Sequence, residues 1–165
     1  MPGSREDLIR QYADGPALLR KALDAVPREA LKWRPAPGKW SVHEVIVHCA
    51  DSETNAHMRI RYLVGESNPV IVGYDQDGWA STFNYHALPL EPAMATIEAV
   101  RANTVPLLLS LPETAWKKTG THSEVGSYSV EKWMAAYAEH LDVHARQIER
   151  NVKAWESSRP AFPSK

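Results

Sequence analysis

Hydrophobic residues recur every three or four positions in four long stretches of the chain, a spacing that predicts amphipathic helices. The first predicted helix begins at Ser4, where the residues SRED fit a capping box. The pair Gly15-Pro16 predicts a kink or a break inside it, because proline lacks the N–H that a helix interior needs. A second helix is predicted to begin at Ser41, with the better capping box SVHE, and to end at Gly65.

The third predicted helix spans residues 91–110, with a kink expected at Pro106, and the fourth begins near Ser129. Residues 155–165 include prolines and are expected to form an irregular tail. Four helices of this length predict an all-α four-helix bundle. We expect it to occupy the whole chain, residues 1–165, as a single domain.

Two long connections separate the later helices. Residues 66–90 are too many for an unstructured loop in a compact domain, so the stretch GYDQDGWASTFNYH is expected to contain a short helix. That helix is a candidate to cover a site. Residues 111–128 are rich in threonine, glycine and serine and are predicted to be loop with a short hairpin.

The composition narrows the class of protein. The 165 residues are 44% hydrophobic and 24% charged with a formal net charge of −1, which excludes a binder that tracks nucleic-acid phosphates with a basic surface. A run of about 18 apolar residues, the length of a membrane span, does not occur. The first ten residues have no apolar signal region, and the single cysteine rules out an internal disulfide. We therefore expect a soluble, cytoplasmic protein.

The chemistry is suggested by two histidines on the fourth predicted helix. His140 and His144 stand four residues apart, so they differ by about 40° around the helix axis and about 6 Å along it, and both rings can reach one atom. His144 also takes a position in the apolar stripe of that helix. A metal-binding pair and buried histidines held by hydrogen bonds are both open interpretations. A zinc protease is disfavoured, because Leu141 stands where HExxH has its glutamate.

A third ligand would favour the metal. The candidates are His43, His48, His57, His86 and His122. His48 is the strongest, because it borders the predicted bundle interior. His43 and His57 point to other sides of the same helix and are predicted at the surface or rim. Cys49, about 100° around the helix from His48, is interpreted as a small buried residue.

The connection at residues 66–90 adds three weaker candidates. Asp75 could act as a catalytic base or orient a ligand, and helix capping or loop solvation is an equally good interpretation. Tyr74 and Trp79 flank Asp75 and could line a binding pocket, although a core cluster would explain them as well.

Three segments together resemble the DinB-like superfamily. PGKWSVHEVIVHCADSE is similar to its W-S-x-x-E-x-x-x-H segment, YDQDGWA to its middle loop, and SVEKWMAAYAEHLDVHARQI to its last helix with H-x-x-x-H. The resemblance implies a four-helix bundle with up-down-down-up connectivity, often a homodimer. It also implies that His48, His140 and His144 bind a divalent metal.

The three-histidine ligand set indicates which metal ions would bind, and the resemblance implies the type of reaction. Three neutral imidazoles leave coordination positions open, and imidazole suits zinc or nickel, with iron as an alternative, better than magnesium. An ion of this kind lowers the pKa of a bound water or holds a thiol as thiolate. The resemblance implies a metal-dependent hydrolase or a transferase that uses a low-molecular-weight thiol such as bacillithiol, mycothiol or glutathione, acting on a small molecule. The alternative is a metal-binding, stress-associated protein without catalytic turnover.

Overall fold

Four long helices form the framework of the computed structural model, which describes residues 3–159. In chain order the elements are α1 (Arg5–Asp24), α2 (Val42–Gly65), β1 (Val70–Ile71), α3 (Gln76–Thr82), α4 (Leu90–Ser110), α5 (Glu113–Trp116), β2 (Thr119–His122), β3 (Gly126–Ser129) and α6 (Val130–Ser158). Helix α1 packs against α4 and α6, and α2 packs against the same two helices. The predicted bundle of four long helices is confirmed, whereas the up-down-down-up order of directions stays a prediction.

Helix α1 is continuous through Gly15-Pro16, so the break, one of the two predicted alternatives, does not occur, and the kink stays a prediction. Because Pro16 has no N–H, the carbonyl of Tyr12 loses its helical partner. The guanidinium of Arg101 replaces that partner, since its Nη1 donates to the Tyr12 carbonyl at 2.5 Å. Gly15 leaves room for this approach, because a Cβ there would lie 2.5 Å from the same nitrogen.

Helix α2 begins with the predicted capping box. The Ser41 hydroxyl accepts from the N–H of Glu44 at 3.2 Å, and the Glu44 carboxylate accepts from the N–H of Ser41 at 2.9 Å. Arg34 adds an ion pair to the same carboxylate, with Nε 2.9 Å from Oε2. Burial pushes the pKa of Glu44 up, but the bonds from Arg34 and Ser41 outweigh burial and lower the pKa from 4.5 to about 2.

We expect the substitution Glu44→Gln to lower the free energy of unfolding by about 1 kcal/mol at neutral pH. A carboxyl whose pKa is lower in the folded state stabilises the fold above its unfolded pKa of 4.5, and this stabilisation is lost as the pH falls towards 2. Urea unfolding at neutral pH and near pH 2 therefore tests the charge directly. Glu131→Gln, at an exposed first-turn glutamate of α6, is the control. An equal loss at both pH values would contradict this explanation.

The two long connections, residues 66–90 and 111–128, contain short helices and strands. Residues 66–90 hold β1, the predicted short helix (α3) and a 3₁₀ turn at Tyr85–Ala87. The predicted hairpin is formed by β2 and β3, which pair antiparallel, and β1 pairs in parallel with β2. Helix α5 was not predicted.

Helix α6 runs further than expected. Residues 155–158, assigned to an irregular tail from the sequence, continue the helix to Ser158. Nothing breaks it there, since the first proline of the tail comes at position 160. The rest of the predicted tail, residues 160–165, lies outside the described residues. No helix within residues 3–159 combines the length and the low polarity that crossing a membrane requires.

Two apolar clusters fill the bundle, one towards each end of the long helices. In each long helix the residues of one cluster end before those of the other begin. The gap contains Gly15 in α1, Glu53 in α2, Arg101 in α4 and His140 in α6. We call these four residues the polar layer. It crosses the bundle at one level and contacts the site described next.

Candidate metal centre

Three histidines from α2 and α6 meet at one point of the bundle. Each of His48, His140 and His144 offers a ring nitrogen, and these three atoms lie within 4.8 Å of one another. The ring centroids are 4.7 Å apart for His140 and His144, 5.0 Å for His48 and His144, and 5.8 Å for His48 and His140. The structure therefore brings together the three residues that were predicted as ligands.

The meeting follows from the directions of the two helices. His140 on α6 contacts Glu53 on α2. His144, four residues later on α6, lies against His48, which is five residues earlier on α2. The two helices therefore run antiparallel at this level. Spacings of four residues on one helix and five on the other are both close to one helical turn, so all three rings reach the same space.

Hydrogen bonds at Nδ1 fix two of the three rings. His140 Nδ1 lies 2.8 Å from Glu53 Oε1, and His144 Nδ1 lies 2.8 Å from Gln147 Oε1. Because both partners are acceptors, each Nδ1 carries the proton and each Nε2 keeps its lone pair. This is the arrangement in which histidine binds a metal through Nε2 while a second residue holds the ring.

The third ring has an unsatisfied atom. His48 is 2% exposed, and its Nδ1 has no hydrogen-bond partner among residues 3–159. A buried polar atom without a partner costs about 1–3 kcal/mol. A cation at the cluster would give a lone pair of this imidazole a partner, so the three residues fit a divalent ion.

Burial also sets the protonation of the site. Burial, and after it the charge of the neighbouring imidazoles, lower the pKa of His48 to about 3 and the pKa of His144 to about 4. Both rings are therefore neutral at neutral pH, which is the form that binds metal ions.

A buried ion pair between Arg101 and Glu53 contacts the centre through His140. Arg101 donates to both oxygens of Glu53, from Nε at 2.8 Å and from Nη2 at 2.7 Å. Arg101 also donates to the backbone carbonyl of Tyr137 at 2.9 Å. Burial raises the pKa of Glu53, but the bonds from His140 and Arg101 outweigh burial and lower the pKa. Glu53 therefore stays ionised and can hold the His140 ring.

Sequence reasoning missed Glu53 and Arg101, although each left a signal. Glu53 stands between Cys49 and Ala56 in the apolar stripe of α2, and Arg101 stands four residues after Ile97 in the stripe of α4. A charged residue at a core position is uncommon unless it is paired. Each position thus indicated a buried partner without identifying it.

Comparison with known proteins gives the family. Residues 11–148 match the DinB superfamily. The chain belongs to this superfamily. A relative from Oceanobacillus iheyensis is 36% identical over 140 residues, which are 85% of this chain and 81% of the relative. A relative from Geobacillus kaustophilus is 30% identical over 159 residues, 93% of this chain and 88% of the relative. Both relatives bear the name "putative metal-dependent hydrolase".

A solved structure shows the same fold. YfiT from Bacillus subtilis, described as a probable metal-dependent hydrolase with an unusual four-helix bundle topology, superposes with a TM-score of 0.86 at 21% sequence identity. The match covers 94% of this chain and 90% of YfiT. The resemblance to DinB proteins predicted from three short segments is confirmed, as is the bundle fold.

The connection at residues 66–90 of this DinB protein reaches the centre through Tyr74. The Tyr74 hydroxyl lies next to Ser52, is buried, and has no partner that meets hydrogen-bond geometry among residues 3–159. Ser52 Oγ is in turn 3.3 Å from His140 Nε2. The ring of Trp79 lies 4.5 Å from that of Tyr74 and also packs on a third, smaller apolar cluster, which consists of Val47, Ala80 and Tyr85. Asp75 is exposed and caps α3, accepting from the N–H of Gly78 at 3.0 Å. Capping is thus the role that the structure gives Asp75, and a catalytic role stays a prediction.

The remaining histidines of this DinB protein do not join the cluster. The prediction that His43 lies at the surface or rim is wrong, because the ring is 6% exposed and its Nε2 lies 2.8 Å from the Leu88 carbonyl. The cause is the connection at residues 66–90, which folds over the start of α2. His57 lies 3.0 Å from Thr104, and His122 is buried in β2. Cys49 is fully buried, as predicted, and burial raises the pKa of its thiol.

Proposed function

We propose that this DinB protein binds one divalent metal ion per chain at His48, His140 and His144 and uses it to transform a small molecule. The observation that carries the proposal is the cluster itself, three imidazoles with ligand atoms within 4.8 Å of one another. Three protein ligands are typical of catalytic zinc sites, which keep a coordination position open, whereas structural sites use four. Metal dependence in the names of the relatives supports the same conclusion.

The donor set favours particular ions. Neutral imidazole nitrogens suit zinc, nickel or iron, whereas magnesium and calcium require oxygen ligands. We therefore propose zinc or nickel, with iron as an alternative. When bound, such an ion supplies Lewis acidity and lowers the pKa of a water or thiol that coordinates it.

The residues around the cluster favour one reaction over the other. Among the described residues, Glu53 is the carboxylate that contacts a ring of the cluster, that of His140, and Arg101 and His140 already use both of its oxygens. Asp75, the residue predicted from the sequence as a catalytic base, accepts from the N–H of Gly78 and caps α3. Transfer of a thiol needs no such base, because the thiolate is itself the nucleophile. We therefore favour transfer of a low-molecular-weight thiol to an electrophilic small molecule, with hydrolysis as the second candidate.

An activity screen on metal-loaded protein tests the proposal. Protein loaded with zinc or nickel should consume a thiol in the presence of an electrophile such as 1-chloro-2,4-dinitrobenzene. The thiols to compare are bacillithiol, mycothiol and glutathione, and nitrophenyl esters without thiol test hydrolysis. The metal-free protein and the His144→Ala variant should lose at least about a hundredfold in rate, because they lack the site. A protein that binds the ion and turns over neither class of substrate would instead be a non-catalytic metal-binding protein.

Two further proposals concern the protein as a whole. We propose a homodimer located in the cytoplasm, in line with the sequence-based expectation. Sedimentation velocity on the purified protein tests the first, and cell fractionation tests the second.

A further inference from the structure

The indole of Trp40 lies against the ring of the ligand candidate His48. The two ring centroids are 4.6 Å apart, with an angle of 48° between the ring planes. Trp40 directly precedes Ser41, the residue that caps α2, and its half-buried side chain also packs on the third apolar cluster. The indole therefore fills space between the start of α2 and the connection at residues 66–90.

His48 lacks the restraint that holds the other two rings of the cluster. Hydrogen bonds at Nδ1 hold His140 and His144, whereas Nδ1 of His48 has no partner among residues 3–159. In the same part of the chain, the rings in contact with His48 are those of His140, His144 and Trp40. Trp40 is thus the ring from outside the cluster that restricts rotation of the His48 imidazole.

A buried asparagine of α6 anchors Trp40. Asn151, which is 7% exposed, donates from Nδ2 to the backbone carbonyl of Trp40 at 2.9 Å. Asn151 follows His144 by seven residues, about two helical turns, so the two residues lie on the same face of α6. This face therefore supplies ligand candidates and also the residue that fixes the segment in front of α2.

The anchor is needed because protein does not enclose the indole on all sides. Trp40 borders a cavity of about 420 Å³, which is also lined by Arg34, Gly38 and Lys39 of the preceding loop. Packing restrains a side chain only where other atoms fill the space around it. The bond from Asn151 therefore limits movement of the segment that carries the indole.

An aromatic face also suits the chemistry of a ligand. An imidazole that binds a cation takes on part of its positive charge, and the face of an indole is negative and attracts positive charge. The contact with Trp40 therefore favours the metal-bound form of His48 in addition to holding its orientation.

We propose that Trp40 is the positioning residue of His48 and that Asn151 keeps Trp40 in place for this role. The inference rests on the proposed function, because it takes His48 as a metal ligand, and it adds two residues to the centre. Each of the three ligand candidates then has its own support, which is Glu53 for His140, Gln147 for His144 and Trp40 for His48.

Zinc affinity, measured by isothermal titration, tests the proposal. Trp40→Leu keeps an apolar side chain but removes the aromatic ring, and it should weaken zinc binding about tenfold, the effect of losing a residue that holds a ligand. Trp40→Phe keeps a ring against His48 and should stay within about threefold of wild type. Trp33→Leu removes another half-buried indole from the segment before α2 and is the matched control, with affinity within about twofold of wild type.

A second readout separates positioning from a general loss of stability. The visible absorption of bound cobalt(II) reports how its ligands are arranged, so Trp40→Leu should change this spectrum and Trp33→Leu should not. Asn151→Ala leaves the indole intact and removes its anchor. This variant should lower zinc affinity about threefold, and it replaces Trp40→Leu in the test if that variant does not fold.

The possible results separate the inference from the proposed function. Unchanged zinc affinity in Trp40→Leu, or in Asn151→Ala where it takes that place, overturns the role of Trp40. An equal loss in Trp33→Leu overturns it too, because the effect would then come from packing in general. Lower affinity with an unaltered cobalt spectrum also overturns positioning. Failure of wild-type protein to bind zinc or cobalt overturns the metal centre itself.

Discussion

Replacing His144 by alanine should lower the affinity of the protein for a divalent ion by more than about a hundredfold. The variant keeps two ligands and loses the ring whose Nδ1 is held by Gln147 at 2.8 Å. Removal of a residue that merely holds a ligand costs about 10–100-fold, so removal of a ligand should cost more. His48→Ala and His140→Ala should behave in the same way. Elemental analysis and isothermal titration with zinc or nickel measure the loss.

His57→Ala provides the matched control for these variants. His57 lies on α2 like His48 but contacts Thr104 and stands outside the cluster. Its removal should leave metal occupancy unchanged at about one ion per chain. The metal-free wild-type protein should still unfold cooperatively, because the two apolar clusters do not depend on an ion. Full occupancy in His144→Ala would disprove the three-histidine site.

Arg101→Met should lower the free energy of unfolding by about 3–5 kcal/mol, the loss typical of breaking a buried ion pair from one side. Arg101 and Glu53 are 1% and 0% exposed in their side chains, so the remaining carboxylate would be left without its guanidinium away from water. The carbonyls of Tyr12 and Tyr137 would lose a donor as well. Urea unfolding monitored by circular dichroism measures the change.

Two comparison variants make this result specific. Arg20→Met breaks an ion pair with Glu91, whose side chain is 77% exposed, and should cost less than about 1 kcal/mol. Adding Glu53→Gln to Arg101→Met should recover part of the loss, because the buried charge is then gone. If Arg101→Met cost no more than Arg20→Met, the buried pair would not be a major source of stability.

The parts of the fold that the sequence predicted are those set by local rules. Helical periodicity and the capping boxes at Ser4 and Ser41 depend on residues three or four apart, and both caps formed as expected. The histidine pair on α6 follows from the same spacing. The third candidate ligand, His48, was predicted because it borders the apolar stripe of α2.

The missed parts depend on residues far apart in the chain. The donor that replaces the missing N–H of Pro16 is the guanidinium of Arg101 on α4, which follows Pro16 by 85 residues. The burial of His43 depends on Leu88 in a connection whose path the sequence did not predict. Periodicity within one helix contains no information about these pairings.

The polar layer also determines how far each helix can slide along its neighbours. If one helix shifted by one turn, about 5.4 Å, Glu53 or Arg101 would leave its partner and face hydrocarbon. Apolar side chains alone penalise such a shift weakly, because one leucine or isoleucine can replace another at a contact. The bundle therefore has a single axial alignment in which its charges are paired. That alignment sets the level at which His48 stands opposite His140 and His144.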